Sequence, residues 1–196
     1  AGRNVGLVNA GMWVMPDSLV QTLGAEDGER LIAFLGEGPA HVWEIIERYR
    51  IDCQASQTGT LHLAADRTGL AELVQRHAQW SRRGAPVALL DPEATAQRVG
   101  STRYHGALFD SRAGTIQPLA YARGLARAAI GRGARIFTGS PAVAMQPQDG
   151  MWRVATPKGA VIARQVVFAT DAYTRHLMPQ ILTQQVFLPY FNLATA

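Results

Sequence analysis

The sequence predicts a mixed α/β fold, in which helix-and-strand units carry an antiparallel excursion. Three observations lead there. From Glu26 to Phe137, segments of helical apolar period alternate with short period-two runs. An Asp149-Gly150 hairpin signal and a second turn at Pro157-Lys-Gly159 then break the alternation. Beyond them Gln165-Val-Val-Phe-Ala-Thr170 has the apolar, β-branched composition of a buried central strand. Helices and strands mixed with hairpins in this order do not make a plain doubly wound sheet.

Taken in order, Arg3 to Asn9 is bracketed by Gly2, Gly6 and Gly11 and predicts a loop with tight backbone. Glu26 to Arg50 has a long helical pattern, with Leu31, Ile32, Leu35, Val42, Ile45, Ile46 and Tyr49 on one side. Gly36-Glu-Gly-Pro39 interrupts it, which predicts two helices or a broken one. Thr58 to Ala65 alternates as a strand does. Arg67 to Arg83 is helical, with Leu70, Leu73, Val74, His77 and Trp80 along one side and Gly84 as its stop. Pro86 to Leu90 is extended, and Asp91-Pro92 opens a helix with an N-cap and a first-position proline. Tyr104 to Phe109 predicts a strand, and Asp110 to Gly114 a turn.

Pro118 then starts a helix whose apolar stripe is Leu119, Ala122, Leu125, Ala126, Ala129 and Ile130. Gly131 and Gly133 stop it before a strand at Ala134 to Phe137. Val143 to Gln146, Trp152 to Thr156 and Val161 to Ala163 complete the extended pieces.

Composition narrows the function classes. At 196 residues with 47% hydrophobic and 17% charged content, the chain is an ordinary globular one. No apolar run reaches membrane-spanning length. The net charge of +4 comes from eighteen arginines against one lysine, Lys158. With so much alanine, this is the usage of a GC-rich bacterial coding sequence. The arginines are scattered, with no aromatic residues interleaved as a stacking platform, so no nucleic-acid partner is expected. Cys53 stands alone, which favours a reducing compartment, the cytoplasm.

The five histidines form no His-x-x-x-His pair, so no metal site is expected. No Gly-x-Ser-x-Gly elbow occurs. Gly131-Arg-Gly133 follows a helix and precedes a strand, the wrong order for a dinucleotide turn. In Gly2-Arg-Asn-Val-Gly6, by contrast, a cation, an amide and bare N–H groups could face a phosphate or a flavin ring, although a plain surface turn explains them as well.

Five stretches in order carry a resemblance: Gly2-Arg-Asn-Val-Gly-Leu-Val-Asn9, Tyr104-His-Gly-Ala-Leu-Phe-Asp110, Gly114-Thr-Ile-Gln-Pro through Ala129, Gly133-Ala134, and Val166-Val-Phe-Ala-Thr-Asp-Ala-Tyr-Thr174. Together they resemble the FAD-dependent amine oxidases of the D-amino-acid oxidase superfamily, near the gamma-glutamylputrescine oxidase branch. The resemblance implies part of an FAD/NAD(P)-binding Rossmann-like domain interrupted by an antiparallel substrate-domain sheet. It implies FAD-domain segments at 1–50 and 114–180, a substrate-domain segment at 51–113, and a return into the substrate domain at 181–196.

It also implies that Arg3, Asn4, Val5 and Gly6 lie in the loop around the flavin and its ribityl-phosphate arm. Val143 would set backbone groups against the adenine. Ala169 and Thr170 would end a strand beneath the pyrophosphate. Three positions depart from the pattern: Val5 stands where relatives have a glycine, Leu7 where many have glutamine, and Asp171 where many have glycine or asparagine. The dinucleotide fingerprint Gly-x-Gly-x-x-Gly is not in this sequence and would precede Ala1. Both ends are therefore expected to be cuts, with the remainder of the same polypeptide missing and FAD bound poorly by this stretch alone.

The implied reaction passes hydride from the carbon bearing nitrogen, in an amine or amino acid, to FAD. The imine then hydrolyses, and oxygen or a quinone chain reoxidises the flavin. Tyr104 and His105 are the candidate catalytic residues only by their place on an expected substrate-domain strand, and a structural role explains both better. Two alternatives stay open. One is a truncated, cofactor-free domain acting as a subunit or binding module; the other is a related flavoenzyme acting on a 2-hydroxy acid.

Overall fold

The computed structural model describes residues 4–171, 174 and 177–184. The chain forms two compact units, Ala1–Arg132 and Gly133–Ala196.

In the first unit β1 (Leu7–Val8) leads to α1 (Pro16–Leu23) and α2 (Ala25–Tyr49). The short α1, which the sequence pattern did not reveal, starts on the buried Pro16. It closes onto α2 at Gly28, where an added Cβ would lie 2.6 Å from the Val20 backbone. A glycine inside a helix lowers its propensity, and here the return is backbone-level contact between two helices.

The expected break at Gly36-Glu-Gly-Pro39 does not occur, and α2 runs through it for 25 residues. Pro39 has no N–H to give to Leu35, four residues back. The carbonyl this releases is taken by another segment: Gly11 N–H donates to Leu35 O at 3.0 Å. A breaker is tolerated because its orphaned acceptor has a partner from outside the helix.

β2 (Thr60–Leu63), α3 (Arg67–Ser81), β3 (Val87–Leu90), α4 (Pro92–Val99) and β4 (Ala107–Asp110) follow. β2 and β3 both pair antiparallel with β4, in the order β2-β4-β3. β2–α3–β3 is thus a βαβ unit split by the later strand β4. Both helices start as the sequence predicts: Asp66 accepts from Gly69 N–H at 2.7 Å and Asp91 from Ala94 N–H at 2.8 Å. α3 covers one sheet face, where Ala64, Leu73 and Leu108 form the core with Leu70 and Val87 against them.

β4 begins only at Ala107, so Tyr104 and His105 precede the strand; Gly106, at φ 149°, separates them from the ladder. β5 (Gly114–Thr115) returns to pair with β1, and α5 (Pro118–Gly131) follows. Its closest packing is at Gly124, where a Cβ would meet the Ile51 side chain at 2.2 Å. Leu119 and Ile130, expected on the buried stripe, are 39% and 56% exposed.

In the second unit β6 (Ala144–Gln148), β7 (Met151–Thr156) and β8 (Gly159–Ala163) form an antiparallel meander. Asp149 and Gly150 turn the first hairpin with φ of 47° and 73°, as a two-residue loop of the I′ kind requires. Pro147 lies on the edge strand β6, where its missing donor costs no ladder bond. A 3-10 helix spans Pro179–Gln184.

Two expected strands are absent. Ala134 to Phe137 and Val166 to Thr170 join no sheet among the described residues. Ile136, Phe137 and Val167 are 49%, 61% and 87% exposed. A strand exists through its neighbour, because the ladder satisfies its N–H and C=O groups. The described residues supply no neighbour for either segment. The expected strand opening from Val186 onward lies outside the described residues.

Two expectations for stability follow. Gly11 has φ 77°, and a Cβ there would sit 2.5 Å from the Trp80 ring. Gly11→Ala should cost about 2–4 kcal/mol, from backbone strain plus overpacking, read as a lower urea midpoint.

The second concerns acid. Arg83 at the end of α3 holds Glu29 of α2 through Nε at 2.9 Å and Nη2 at 2.7 Å, and Asp17 of α1 at 3.0 Å. Arg82 also pairs with Asp17. Hydrogen bonding from Arg82, then from Arg83, holds the Asp17 carboxyl below its ordinary range against partial desolvation, and Arg83 does the same for Glu29. Both carboxyls titrate lower in the folded than in the unfolded chain. Their contribution is therefore complete above the ordinary carboxylate range and is lost as pH falls through the depressed values. Denaturation followed from neutral pH to about pH 3 should show that loss, and Arg83→Ala or high salt should flatten it.

Candidate functional site

The loop expected to hold the flavin begins at Arg3, which lies outside the described residues. From Asn4 its geometry is definite. Asn4 Oδ1 accepts from Gly6 N–H at 2.8 Å, closing a small ring of the kind asparagine forms in turns. Gly6 is buried at φ 78°, and a Cβ there would lie 2.0 Å from Ile116 O. Its own carbonyl accepts from Ile116 N–H at 2.8 Å. Val5 is not among the residues of positive φ, so its β-branch is unstrained, and its side chain is 51% exposed.

This junction brings together two stretches that the sequence singled out separately. Leu7 pairs with Thr115 and Val8 with Gly114. Ser56 joins from a third segment, exchanging bonds of 2.8 and 2.9 Å with Thr115. Gly114 has no room for a side chain, since a Cβ would fall 2.2 Å from Ser56 O. Gln117 N–H donates to Cys53 O at 2.7 Å, and the Gln117 side chain caps α5 by accepting from Ala120 N–H. Cys53 is 1% exposed, and burial pushes its thiol pKa up, which makes it a core thiol and not a nucleophile. A cleft of about 330 Å³ opens beside this point, lined by Asp52, Gln54, Gln117, Leu119, Ala120 and Arg123. Its lining mixes a carboxylate, a guanidinium and amides, and selects no single ligand chemistry.

In the second unit Val143 N–H donates to Ala155 O at 2.8 Å, which commits that donor to the sheet. Thr170 and Thr174 share a hydroxyl hydrogen bond of 2.6 Å, and Thr174 Oγ1 also donates to Asp171 O at 2.8 Å. Asp171 takes φ 45°, which accounts for the glycine or asparagine expected there. Ala169 is exposed. In the first unit the Gly6 N–H is thus committed to Asn4 Oδ1; in the second, the Thr174 hydroxyl proton goes to Asp171 O and that of Thr170 to Thr174 Oγ1. Among these positions the one carboxylate is Asp171.

Tyr104 and His105 are not gathered into this junction. His105 N–H donates to Ala64 O at 2.9 Å at the start of β4, and its ring is exposed. The four residues of β4, about 13 Å of strand, separate it from the turn into β5.

Sequence reasoning missed a second feature. Arg76 is 5% exposed within α3 and donates to Met12 O at 3.2 Å and Trp13 O at 2.6 Å. The Trp13 ring leans on His62 of β2, with centroids 5.6 Å apart. A signal was available: Leu73, Arg76 and Trp80 share one helical stripe, so the arginine sits where a core residue belongs.

Comparison with known proteins places these features in a family. The model of the family described as FAD dependent oxidoreductase matches residues 1–191. The chain is 35% identical over 175 residues to gamma-glutamylputrescine oxidoreductase of Escherichia coli, covering 88% of this chain and 40% of that protein. It is 32% identical over 175 residues to the probable oxidoreductase OrdL of Haemophilus influenzae, with the same 88% and 40% coverage. The structure of an L-amino acid deaminase from Proteus myxofaciens superposes with a TM-score of 0.72 at 20% identity, covering 96% of this chain and 40% of that one. The chain thus spans about 40% of the length of these curated relatives. By the extent of that match, the chain belongs to the FAD dependent oxidoreductase family.

Proposed function

We propose that the protein to which this chain belongs oxidises the C–N bond of an amine or amino acid, with FAD as the hydride acceptor. The observation that carries this reading is the family match through residues 1–191, on a fold that clamps the Asn4 loop against the stretch at Gly114 to Gln117. The names of the relatives support the substrate class, since gamma-glutamylputrescine and L-amino acids both carry an oxidisable C–N bond. When bound, FAD supplies two-electron redox chemistry that side chains lack.

This chain's residues would bind and orient. Asn4 offers its amide N–H groups while its oxygen fixes the loop, and Gly6 keeps that loop tight against Ile116. Arg3 would add a cation for the phosphate arm. In the second unit Val143, Ala169 and Thr170 would contribute backbone and hydroxyl contacts to the nucleotide end. Tyr104 and His105 receive no proton-transfer role here, since both precede β4 and His105 is tied through its backbone N–H to Ala64 O. No described helix is long and apolar enough to cross a membrane. The lone buried Cys53 suits a cytoplasmic setting.

The full-length gene product should purify yellow, and its flavin absorbance should bleach anaerobically on adding a primary or secondary amine or an amino acid. Bleaching by 2-hydroxy acids alone would move the reading to that substrate class, and a colourless protein that takes up no FAD would refute it. Asn4→Ala removes one loop hydrogen bond, worth about 1 kcal/mol. FAD affinity in a reconstitution titration should then fall about fivefold.

A further inference from the structure

The turn from β4 into β5 is built around an ion pair that is mostly buried. Asp110 and Arg112 keep side-chain exposures of 14% and 20%. Arg112 donates to Asp110 through its backbone N–H at 3.0 Å, through Nε at 3.0 Å and through Nη2 at 2.6 Å. The two side-chain bonds form a planar fork on both carboxylate oxygens, and the backbone bond closes a turn on the same residue. Two helices hold the fork in place. The Arg112 guanidinium carbon lies 5.0 Å from the centre of the Trp80 ring of α3. On α2, a Cβ at Gly36 would come within 3.1 Å of Arg112 Nη1, and Trp43 Nε1 donates to Arg112 O at 3.1 Å.

What this arrangement contributes is direction more than stability. A buried ion pair is often matched or bettered by apolar groups of the same shape. A planar fork anchored between a strand and two helices does what apolar groups cannot, since it fixes the angle at which the chain leaves β4. Each residue that follows is committed in turn. Ala113 is fully buried, and its carbonyl accepts from Gly59 N–H at 2.9 Å. Gly114 and Thr115 then pair with Val8 and Leu7, and Ile116 N–H reaches Gly6 O at 2.8 Å. β1 and β5 are two residues long each, so their ladder carries little register information of its own. Where β5 enters therefore decides where β1 sits, and with it the turn that Asn4 closes onto Gly6.

We propose that Arg112 is a positioning residue for FAD binding: its fork on Asp110 sets the entry of β5, and the β5–β1 pair then holds the loop at Asn4 and Gly6 in the geometry that meets the cofactor. This rests on the functional reading above. The influence of Arg112 runs through the backbone from Ala113 to Ile116.

The test uses the full-length protein, as apoprotein and in titrations with FAD. Arg112→Lys keeps a charge opposite Asp110 and loses the fork. Because a poorly placed lysine would strand the Asp110 carboxylate, a second variant combines Asp110→Asn with Arg112→Met, which removes both charges and keeps an apolar stem against Trp80. The FAD dissociation constant should rise about tenfold in both variants. Their urea midpoints should stay closer to wild type than that of Leu73→Ala, which opens a void in the sheet core. Leu73→Ala should nevertheless leave FAD affinity within about twofold, since its void is remote from the turn.

In the apoprotein the Gly6 and Ile116 amides should exchange faster with solvent in both variants, while those of α3 do not. The loop acts downstream of the fork, so Asn4→Ala should cost less than about twofold in FAD affinity on the Arg112→Lys background, against about fivefold in wild type. Any of four results would overturn the proposal while leaving FAD binding standing. These are unchanged FAD affinity or unchanged Gly6 and Ile116 exchange in both variants, an affinity loss that Leu73→Ala reproduces, an Asn4→Ala effect that adds in full, or a double variant that fails to fold. A wild type that takes up no FAD would overturn the functional reading, and this proposal with it.

Discussion

The first unit depends on a backbone approach with no space for a side chain. At Gly6 and Gly114 an added Cβ would fall 2.0 and 2.2 Å from the carbonyls of Ile116 and Ser56. At those separations carbon and oxygen overlap severely, so the contact exists only because both positions are glycine. Through it β1 meets β5, Ser56 joins Thr115, and the loop at Asn4 is set against the entry to α5. A packed side chain there would push β1 off β5 by more than the ladder tolerates. Glycine in this unit therefore marks where segments distant in sequence must touch, a different role from the turn glycines at Gly84 and Gly100.

Much of this was legible in the sequence, for reasons that are local. The Asp66 and Asp91 caps, the starts at Pro92 and Pro118, and the Asp149-Gly150 turn are each set by a few neighbouring residues. Asn4 and Gly6 stood out because, with Arg3, they put a cation, an amide and bare backbone N–H groups in one short stretch. What failed was relational. Pro39 looked like a break because the donor that rescues Leu35 lies at Gly11, outside any helical window. Val166 to Thr170 looked like a buried strand because composition records what a segment would bury and not what lies beside it. The Arg76 anchor was hidden because charge is ordinarily read as surface, and a buried arginine shows itself only once its acceptors are placed.

The meander of the second unit shows the same distinction. Register puts Met145, Val154 and Val161 in one row, and Pro147, Trp152 and Ala163 in the next row of the same face. Those two rows are apolar, yet Val161 and Trp152 remain 51% and 37% exposed. The alternation that makes it a sheet is complete within three strands, whereas the burial that would stabilise one face is not. Val167, at 87% exposure, has both its ladder and its apolar face unmatched among the described residues.

One chain of contacts fixes the segment that follows β1. Proline at position 39 leaves a carbonyl on α2 without its helical donor, and Gly11 supplies one. Because Gly11 takes a left-handed turn against Trp80, the chain leaves it toward β2, where Arg76 captures the following carbonyls. Trp80 and Arg76 lie one helical turn apart on α3, so a single stripe both packs the glycine and fixes the loop. Each step follows from a residue that, read alone, looks unfavourable: a proline within a helix, a glycine before an exposed tryptophan, an arginine in a core stripe. Together they fix the backbone from Gly11 to Trp13 against α2 and α3, so the three unfavourable residues compensate one another in a single contact.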